Sequence, residues 1–311
     1  MRSVFDAIEA FFDGFSEISW TPLALAILCH LGRIVARSRA WRNVIAAAYP
    51  DTDVQWRQVF GGYAAGIGAN ALLPGRGGDL LRLYIVKHRV DGSTYPTLAS
   101  TLLADGIFDL FAASTLILWA LASGVLPGAD VLPVLPGSDW LWVFHNPKQS
   151  LVIAGFFLAV GLVVVGLAYH RITAFWARVR QGLTILKTPR RYLREVALWD
   201  AADWLFRITA IFFYLRAFDL PATPFNALVY QVASSLSTAL PLTPGGIGTE
   251  QALLVYLFSD VSSASKILSF SVGVKIVTIA VNVTLGTAAV ALMLGSLRWR
   301  HRVEADATSR L

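Results

Sequence analysis

Apolar residues gather into runs near residues 20–38, 56–73, 97–123, 149–169, 197–218, 225–243 and 264–297, separated by short polar stretches. Crossing the hydrocarbon of a bilayer takes about 20 apolar residues, and the run 149–169 reaches that length without one charged side chain. The pattern predicts an all-α, polytopic integral membrane helical protein. Two of the long apolar stretches are interrupted by the same signature, Pro-Gly-x-x-Gly: Pro74-Gly75-Arg76-Gly77-Gly78-Asp79 and Pro244-Gly245-Gly246-Ile247-Gly248-Thr249-Glu250. Backbone that leaves helical geometry at membrane depth is tolerated only where protein or a polar cavity satisfies it. Matched breaks in two halves of a chain therefore point to broken helices around a transport site.

Two amphipathic stretches flank this pattern. Val4, Ile8, Phe11, Phe12, Phe15 and Ile18 recur at helical spacing opposite Asp6, Glu9, Asp13 and Glu17, which predicts an interfacial helix over residues 1–18. The same acids argue against a cleavable signal peptide, whose first region is basic. In residues 171–194, Phe175, Val179, Leu183 and Leu186 share one face among arginines, as expected of a helix lying on the anionic inner leaflet.

Composition agrees with membrane residence: 56% of residues are hydrophobic, 15% are charged, and mean hydropathy is +0.59. No long hydrophilic block is present for a soluble catalytic domain, and no nucleophile–base pair is legible, so the expected chain is not an enzyme. The net charge of +6 sits in short segments beside apolar runs, where it signals topology, so no nucleic-acid partner is expected. Cys29 is the single cysteine, and the five histidines show no metal spacing, so no metal site or cofactor is expected. A transmembrane domain over residues 19–300 and a disordered cytoplasmic tail over 301–311 complete the expected organisation.

Charge placement refines the topology. Arg33, Arg37, Arg39, Arg42 and Arg57 oppose Asp51 and Asp53 on one flank of the run 56–73. Arg76, Arg82, Lys87 and Arg89 oppose Asp79 and Asp91 on the other. Under the positive-inside rule both flanks belong in the cytoplasm, so residues 54–92 enter and leave on one side as a re-entrant hairpin. The loop 124–148 is expected outside, the strongly basic stretch 171–195 and the C-terminus inside. Residues 225–262 then form a second hairpin, entering from outside. A span plus an inner hairpin is matched by a span plus an outer hairpin, an inverted repeat with two opposed Pro-Gly tips.

Each turn has a bland and a functional reading. Asp79 stands where an N-cap belongs; the exposed helix start, with Arg76 and Arg82, also suits a phosphate-bearing head group. Thr249 is the expected N-cap of the second turn, with Glu250 in the first helical turn. Glu250 nevertheless lies in an otherwise uncharged stretch, where an acid costs about 2.5–3.5 kcal/mol at the bilayer centre, which favours a functional role. The candidate substrate-binding set is Arg76, Gly77, Gly78, Asp79, Arg82, Gly245, Gly246, Gly248, Thr249, Glu250 and Lys275. Asp105, Asp109, Asp203 and Arg207 form a candidate charge network. Asp105 and Asp109 share a helical face; Asp203 and Arg207 have the spacing of an intrahelical ion pair, and Asp200 and Arg207 are expected near the cytoplasmic end. Lys275 lies too deep to reach water easily, so it needs an anionic partner, with Glu250 the first choice and Asp105 and Asp109 the others. Gly62 and Gly66 have the spacing of a close helix contact.

These motifs resemble the transmembrane flippase-like family named after the membrane region of lysylphosphatidylglycerol synthase. The resemblance covers about residues 30–297 and rests on Ser38-Arg39-Ala40-Trp41-Arg42, Leu73-Pro74-Gly75-Arg76-Gly77-Gly78-Asp79-Leu80-Leu81-Arg82, and Leu240-Pro241-Leu242-Thr243-Pro244-Gly245-Gly246-Ile247-Gly248-Thr249-Glu250. Relatives typically carry an acid–arginine pair and a later aspartate in the span holding Asp105 and Asp109, and an arginine where Lys275 stands. Here Asp105 and Asp109 match the acids, and Gly106 stands at the arginine position. The segment 1–18 replaces an additional N-terminal span seen in many relatives. The aminoacyl-transferring unit behind the family name is a separate soluble domain to which the resemblance does not extend.

The resemblance implies a multi-pass cell-membrane protein that moves or binds a membrane lipid, either an anionic phospholipid or a lipid-linked sugar. The alternatives are a proton-coupled secondary transporter of a small solute, working through Glu250 and Asp109, and a non-transporting scaffold for a membrane enzyme partner such as a lipid-modifying enzyme or a glycosyltransferase.

Overall fold

The computed structural model describes residues 18–73, 77–126, 169–239 and 248–294, and every regular element among them is helical. Helix α1 spans Trp20–Ala48, α2 Trp56–Leu72, α3 Gly77–Lys87 and α4 Tyr95–Ala122. They are followed by α5 (Tyr169–Gly182), a 3-10 turn (Thr184–Lys187), the one-turn α6 (Pro189–Tyr192) and a π-helical turn (Leu193–Ala197). Four helices complete the chain: α7 (Leu198–Ala217), α8 (Pro224–Ala239), α9 (Thr249–Leu257) and α10 (Ala264–Leu294). Both α4 and α10 are long and apolar enough to cross a membrane. The tail 301–311 lies outside the described residues, and so, but for their final residues, do the segments 1–18 and 149–169.

Helix α1 runs beyond the apolar stretch 20–38 that announces it. Nothing after Gly32 breaks a helix until Pro50, which disfavours helical geometry at Tyr49, where φ is −129° and ψ 70°. The extra turns carry the Ser38-Arg39-Ala40-Trp41-Arg42 motif, whose polar groups tie the next connection down. Arg42 Nε donates to the Val54 carbonyl at 2.7 Å, Trp56 Nε1 donates to Ser38 Oγ at 3.0 Å, and the Arg39 guanidinium lies 4.1 Å from the Trp56 ring centre. Trp41, fully buried, donates from Nε1 to Thr101 Oγ1 of α4 at 2.9 Å.

Helices α1 and α7 lie antiparallel. Ser19 N–H donates to the Ala217 carbonyl at one end (2.9 Å), and Asn43 Nδ2 donates to the Glu195 carbonyl at the other (2.6 Å). Helix α2 is held between α3 and α10 by glycines. A Cβ on Gly66 would sit 2.9 Å from the Gly78 carbonyl, and one on Gly62 would sit 2.8 Å from Val86. On another face, a Cβ on Gly68 would sit 2.7 Å from the Gly286 Cα. Gly62 and Gly66 thus have the packing role their spacing predicted.

The contacts 62–86 and 66–78 make α2 and α3 an antiparallel pair, so the chain returns to the end it left. There Thr94 N–H donates to Tyr49 Oη at 3.0 Å, and Val54 and Val90 share a buried cluster with Trp41 and Tyr49. At the opposite end, residues on either side of the segment 220–263 also meet. Asp219, just past α7, accepts from Lys266 Nζ at the start of α10 (2.8 Å), and the Phe218 and Phe270 rings pack at 5.6 Å.

Two expectations need correction. Arg33 and Arg37, taken as flanking loop cations, lie within α1, and Arg37 is buried against carboxylates; loop charge at this flank is smaller than the sequence suggested. The stretch 171–194 is not one helix. It breaks at Gly182, where the missing side chain lets the chain approach α4: a Cβ there would fall 2.0 Å from Ser100 Oγ. Beyond the break Ile185 is buried, with Leu183 and Leu186 packed around it against Ala40 and Val44. Only the first part, with Phe175 and Trp176 about half exposed, presents a free apolar face.

Candidate functional site: a buried ion network and the cavity beside it

Arg33 and Arg37 are four residues apart on α1, as are Asp105 and Asp109 on α4, while Asp200, Asp203 and Arg207 follow the face of α7. Packing of these three helices brings all seven charges together. Arg37 is enclosed by carboxylates: Nε lies 3.1 Å from Asp105 Oδ2, Nη2 2.7 Å from Asp109 Oδ2 and Nη1 3.3 Å from Asp200 Oδ1. Its Nη2 also donates to the Asp105 carbonyl at 3.1 Å. Asp203, with no exposed side-chain surface, pairs with Arg33 Nε at 3.1 Å and Arg207 Nη2 at 2.6 Å. Asp109 bridges the two arginine groups, with Oδ1 3.6 Å from Arg207 Nη2 and accepting from Trp204 Nε1 at 2.7 Å.

The four residues proposed as a charge network are therefore in one network, and the Asp203–Arg207 pair forms along its helix. Asp200 lies in the first turn of α7, near its end as expected, but its side chain is fully buried on Arg37. Arg33 and Arg37 were missed. Their signal was present, since two arginines one turn apart inside an apolar run require partners on neighbouring helices.

A cavity of about 270 Å³ adjoins this network. His30 and Arg33 of α1 line it with Arg207 and Tyr214 of α7, Tyr230, Gln231 and Ser234 of α8, Glu250 of α9, and Lys275 and Thr278 of α10. Lys275 Nζ donates to Glu250 Oε2 at 2.9 Å, and Glu250 Oε1 accepts from Tyr230 Oη at 3.1 Å. Of the three carboxylates considered for Lys275, Glu250 is the partner. His30 Nε2 lies 2.8 Å from Asn282 Oδ1.

The described residues of the first Pro-Gly motif do not join this cavity's lining. Gly77, Gly78, Asp79 and Arg82 belong to α3, where Asn70 of α2 supplies the cap: its Oδ1 accepts from Gly78 N–H at 2.8 Å and its Nδ2 donates to Asp79 Oδ1 at 3.0 Å. Asp79 is a first-turn residue, 3.4 Å from Arg82 Nε, and not the N-cap. The Arg82 guanidinium lies 5.2 Å from the Trp41 ring centre and 5.7 Å from that of Tyr63. At the second turn the cap position belongs to Gly248, with φ +91°, and Thr249 is the first helical residue; Gly248 N–H donates to Gln251 Oε1 at 2.7 Å. The backbone needs positive φ before α9 can start, which threonine resists and glycine allows. Arg76, Gly245 and Gly246 lie outside the described residues.

The protein family described as the lysylphosphatidylglycerol synthase TM region matches residues 4–286, nearly the whole chain and every element of the site. The chain belongs to this family. The chain is similar to a UPF0104 membrane protein of Methanocaldococcus jannaschii, 24% identical over 209 residues, 64% of this chain and 84% of the relative. No solved structure matches the chain. Within this lysylphosphatidylglycerol synthase TM region, both the enclosed Arg37 and the Glu250–Lys275 pair lie inside the matched residues.

Proposed function

We propose that the chain binds, and moves between leaflets, a lipid whose head group is anionic, an acidic phospholipid or a phosphate-linked sugar. One observation carries the reading: three cations, Arg33, Arg207 and Lys275, line the cavity against a single lining carboxylate, Glu250. Each cation already has a carboxylate partner, Asp203 for Arg33 and Arg207 and Glu250 for Lys275, and a phosphate entering the cavity would meet all three cations from their open side. Lys275 is 38% exposed at its side chain, so its ammonium is accessible while bound to Glu250.

The opposed arrangement belongs to the same proposal. Residues 49–94 return at the end of α1 and α7 marked by Asn43 and Glu195, and residues 220–263 return at the other, which supports two hairpins entering from opposite sides as an inverted repeat. Arg42, Arg57, Lys87 and the cluster Lys187, Arg190, Arg191 and Arg194 belong to the first end, which supports placing it in the cytoplasm. No bond-making or bond-breaking chemistry is assigned to the chain.

The test is reconstitution into liposomes containing a head-group-labelled phosphatidylglycerol, with leaflet exchange followed for wild type and Lys275→Gln. Exchange above protein-free vesicles that falls in the variant is the expected result. Equal exchange in both removes Lys275 from the mechanism. Absence of exchange in wild type, across anionic and lipid-linked sugar substrates alike, turns the reading toward a scaffold.

A further inference from the structure

Among the described residues, the network around Arg37 contains more acid than base. Arg33, Arg37 and Arg207 face Asp105, Asp109, Asp200 and Asp203, three cations against four carboxylates. Among the described residues, the other titratable side chains facing the network are His30 of α1, Tyr63 of α2, Tyr192 of α6 and Tyr214 of α7. Burial pushes the Tyr192 phenol up to about 12, so it adds no charge. His30 sits beside Arg33, and a neutral imidazole already satisfies its contact with Asn282 Oδ1. The cavity pair Glu250–Lys275 is balanced in itself.

An unbalanced carboxylate in a buried, low-dielectric site is expensive, and the ordinary outcome is that it takes up a proton. The contacts decide which one. Asp203 meets two arginines, and Asp109 meets two arginines and an indole N–H. Asp105 and Asp200 each reach Arg37 through one oxygen only, and their other oxygens, Asp105 Oδ1 and Asp200 Oδ2, are buried without a hydrogen-bond partner among the described residues. Asp200 has the longer contact, 3.3 Å against 3.1 Å, and the smaller exposure, 0% against 4%.

We propose that Asp200 is a proton-binding site: it is held as a neutral carboxylic acid against Arg37 while Asp105, Asp109 and Asp203 remain ionised. The chain then carries one exchangeable proton between α1, α4 and α7, next to arginines that also line the cavity. This inference does not depend on which molecule enters the cavity.

The experiment is infrared spectroscopy of the purified full chain in detergent at neutral pH, in H2O and in D2O, where surface carboxylates are ionised. Wild type is expected to show a carboxylic-acid C=O stretch that shifts in D2O. Asp200→Asn is expected to lose that band and keep its helical circular dichroism, because asparagine stands in for the neutral acid. Glu250→Gln is expected to keep the band. Absence of the band in wild type, its persistence unchanged in Asp200→Asn, or loss of the fold in Asp200→Asn overturns the assignment. A band removed by Asp105→Asn and not by Asp200→Asn also overturns it.

Discussion

Replacing Gly78 by alanine strikes the contact that fixes α3 on α2. The added Cβ would lie 2.0 Å from the Gly66 carbonyl oxygen, 2.6 Å from the Asn70 nitrogen and 2.8 Å from Asn70 Oδ1. Two of these are backbone atoms within a helix and cannot turn away as a side chain would. Restoring an ordinary 3.4 Å contact moves α3 by about 1.4 Å, the difference between 3.4 and 2.0 Å. That shift also breaks the Gly78 N–H to Asn70 Oδ1 hydrogen bond, 2.8 Å long. Overpacking costs about 1–3 kcal/mol and an unsatisfied buried donor about 1–3 kcal/mol. Alanine's better helix propensity returns about 1 kcal/mol. The net loss is about 1–5 kcal/mol, roughly 2–20 °C in melting temperature at about 2–4 °C per kcal/mol. The assay is thermal unfolding of the detergent-solubilised chain by tryptophan fluorescence. Gly106→Ala is the control, since a Cβ at Gly106 meets nothing within 4 Å. Melting of Gly78→Ala within about 1 °C of wild type, below the range expected for such a clash, would refute the tight α2–α3 packing.

Three further outcomes are expected. Lys275→Gln lowers affinity for a short-chain anionic phospholipid about tenfold or more, the value of one charge-assisted hydrogen bond, whereas Glu250→Gln raises it; titration calorimetry of both reads the opposite signs, and shifts in the same direction refute the electrostatic reading. Asp203→Asn leaves Arg33 and Arg207 without their shared carboxylate and costs about 3–5 kcal/mol, read as loss of a monodisperse elution peak; unchanged thermal stability refutes its role as the anchor of the network. On a Cys29→Ser background, single cysteines at Asp53 and Asp91 label with a membrane-impermeant maleimide from one side and one at Asp260 from the other, all three positions being exposed. Labelling of Asp53 and Asp91 from opposite sides overturns the first hairpin.

The apolar runs and the paired Pro-Gly signatures were legible in the chain because hydrophobic length and helix-breaking residues act locally. The starts of α2, α7 and α10 fall within a residue of the runs that announce them. Lys275 was legible as a charge in need of a partner for the same reason: its cost depends on apolar neighbours in sequence. The identity of the partner depended on three candidate acids, and only the approach of α9 to α10 selected Glu250. Arg33 and Arg37 show the limit most sharply. By sequence position they counted as flanking cations; by tertiary position they meet carboxylates from two other helices. Spacing of four residues fixes which face a charge occupies, but the charge on the opposing face comes from segments about 70 and 160 residues away, and that proximity exists only once the helices pack. The caps divide in the same way. Glycine at 248 announces a turn by itself, whereas Asn70 becomes the cap of α3 only because Gly66 and Gly78 let two helices touch backbone to backbone.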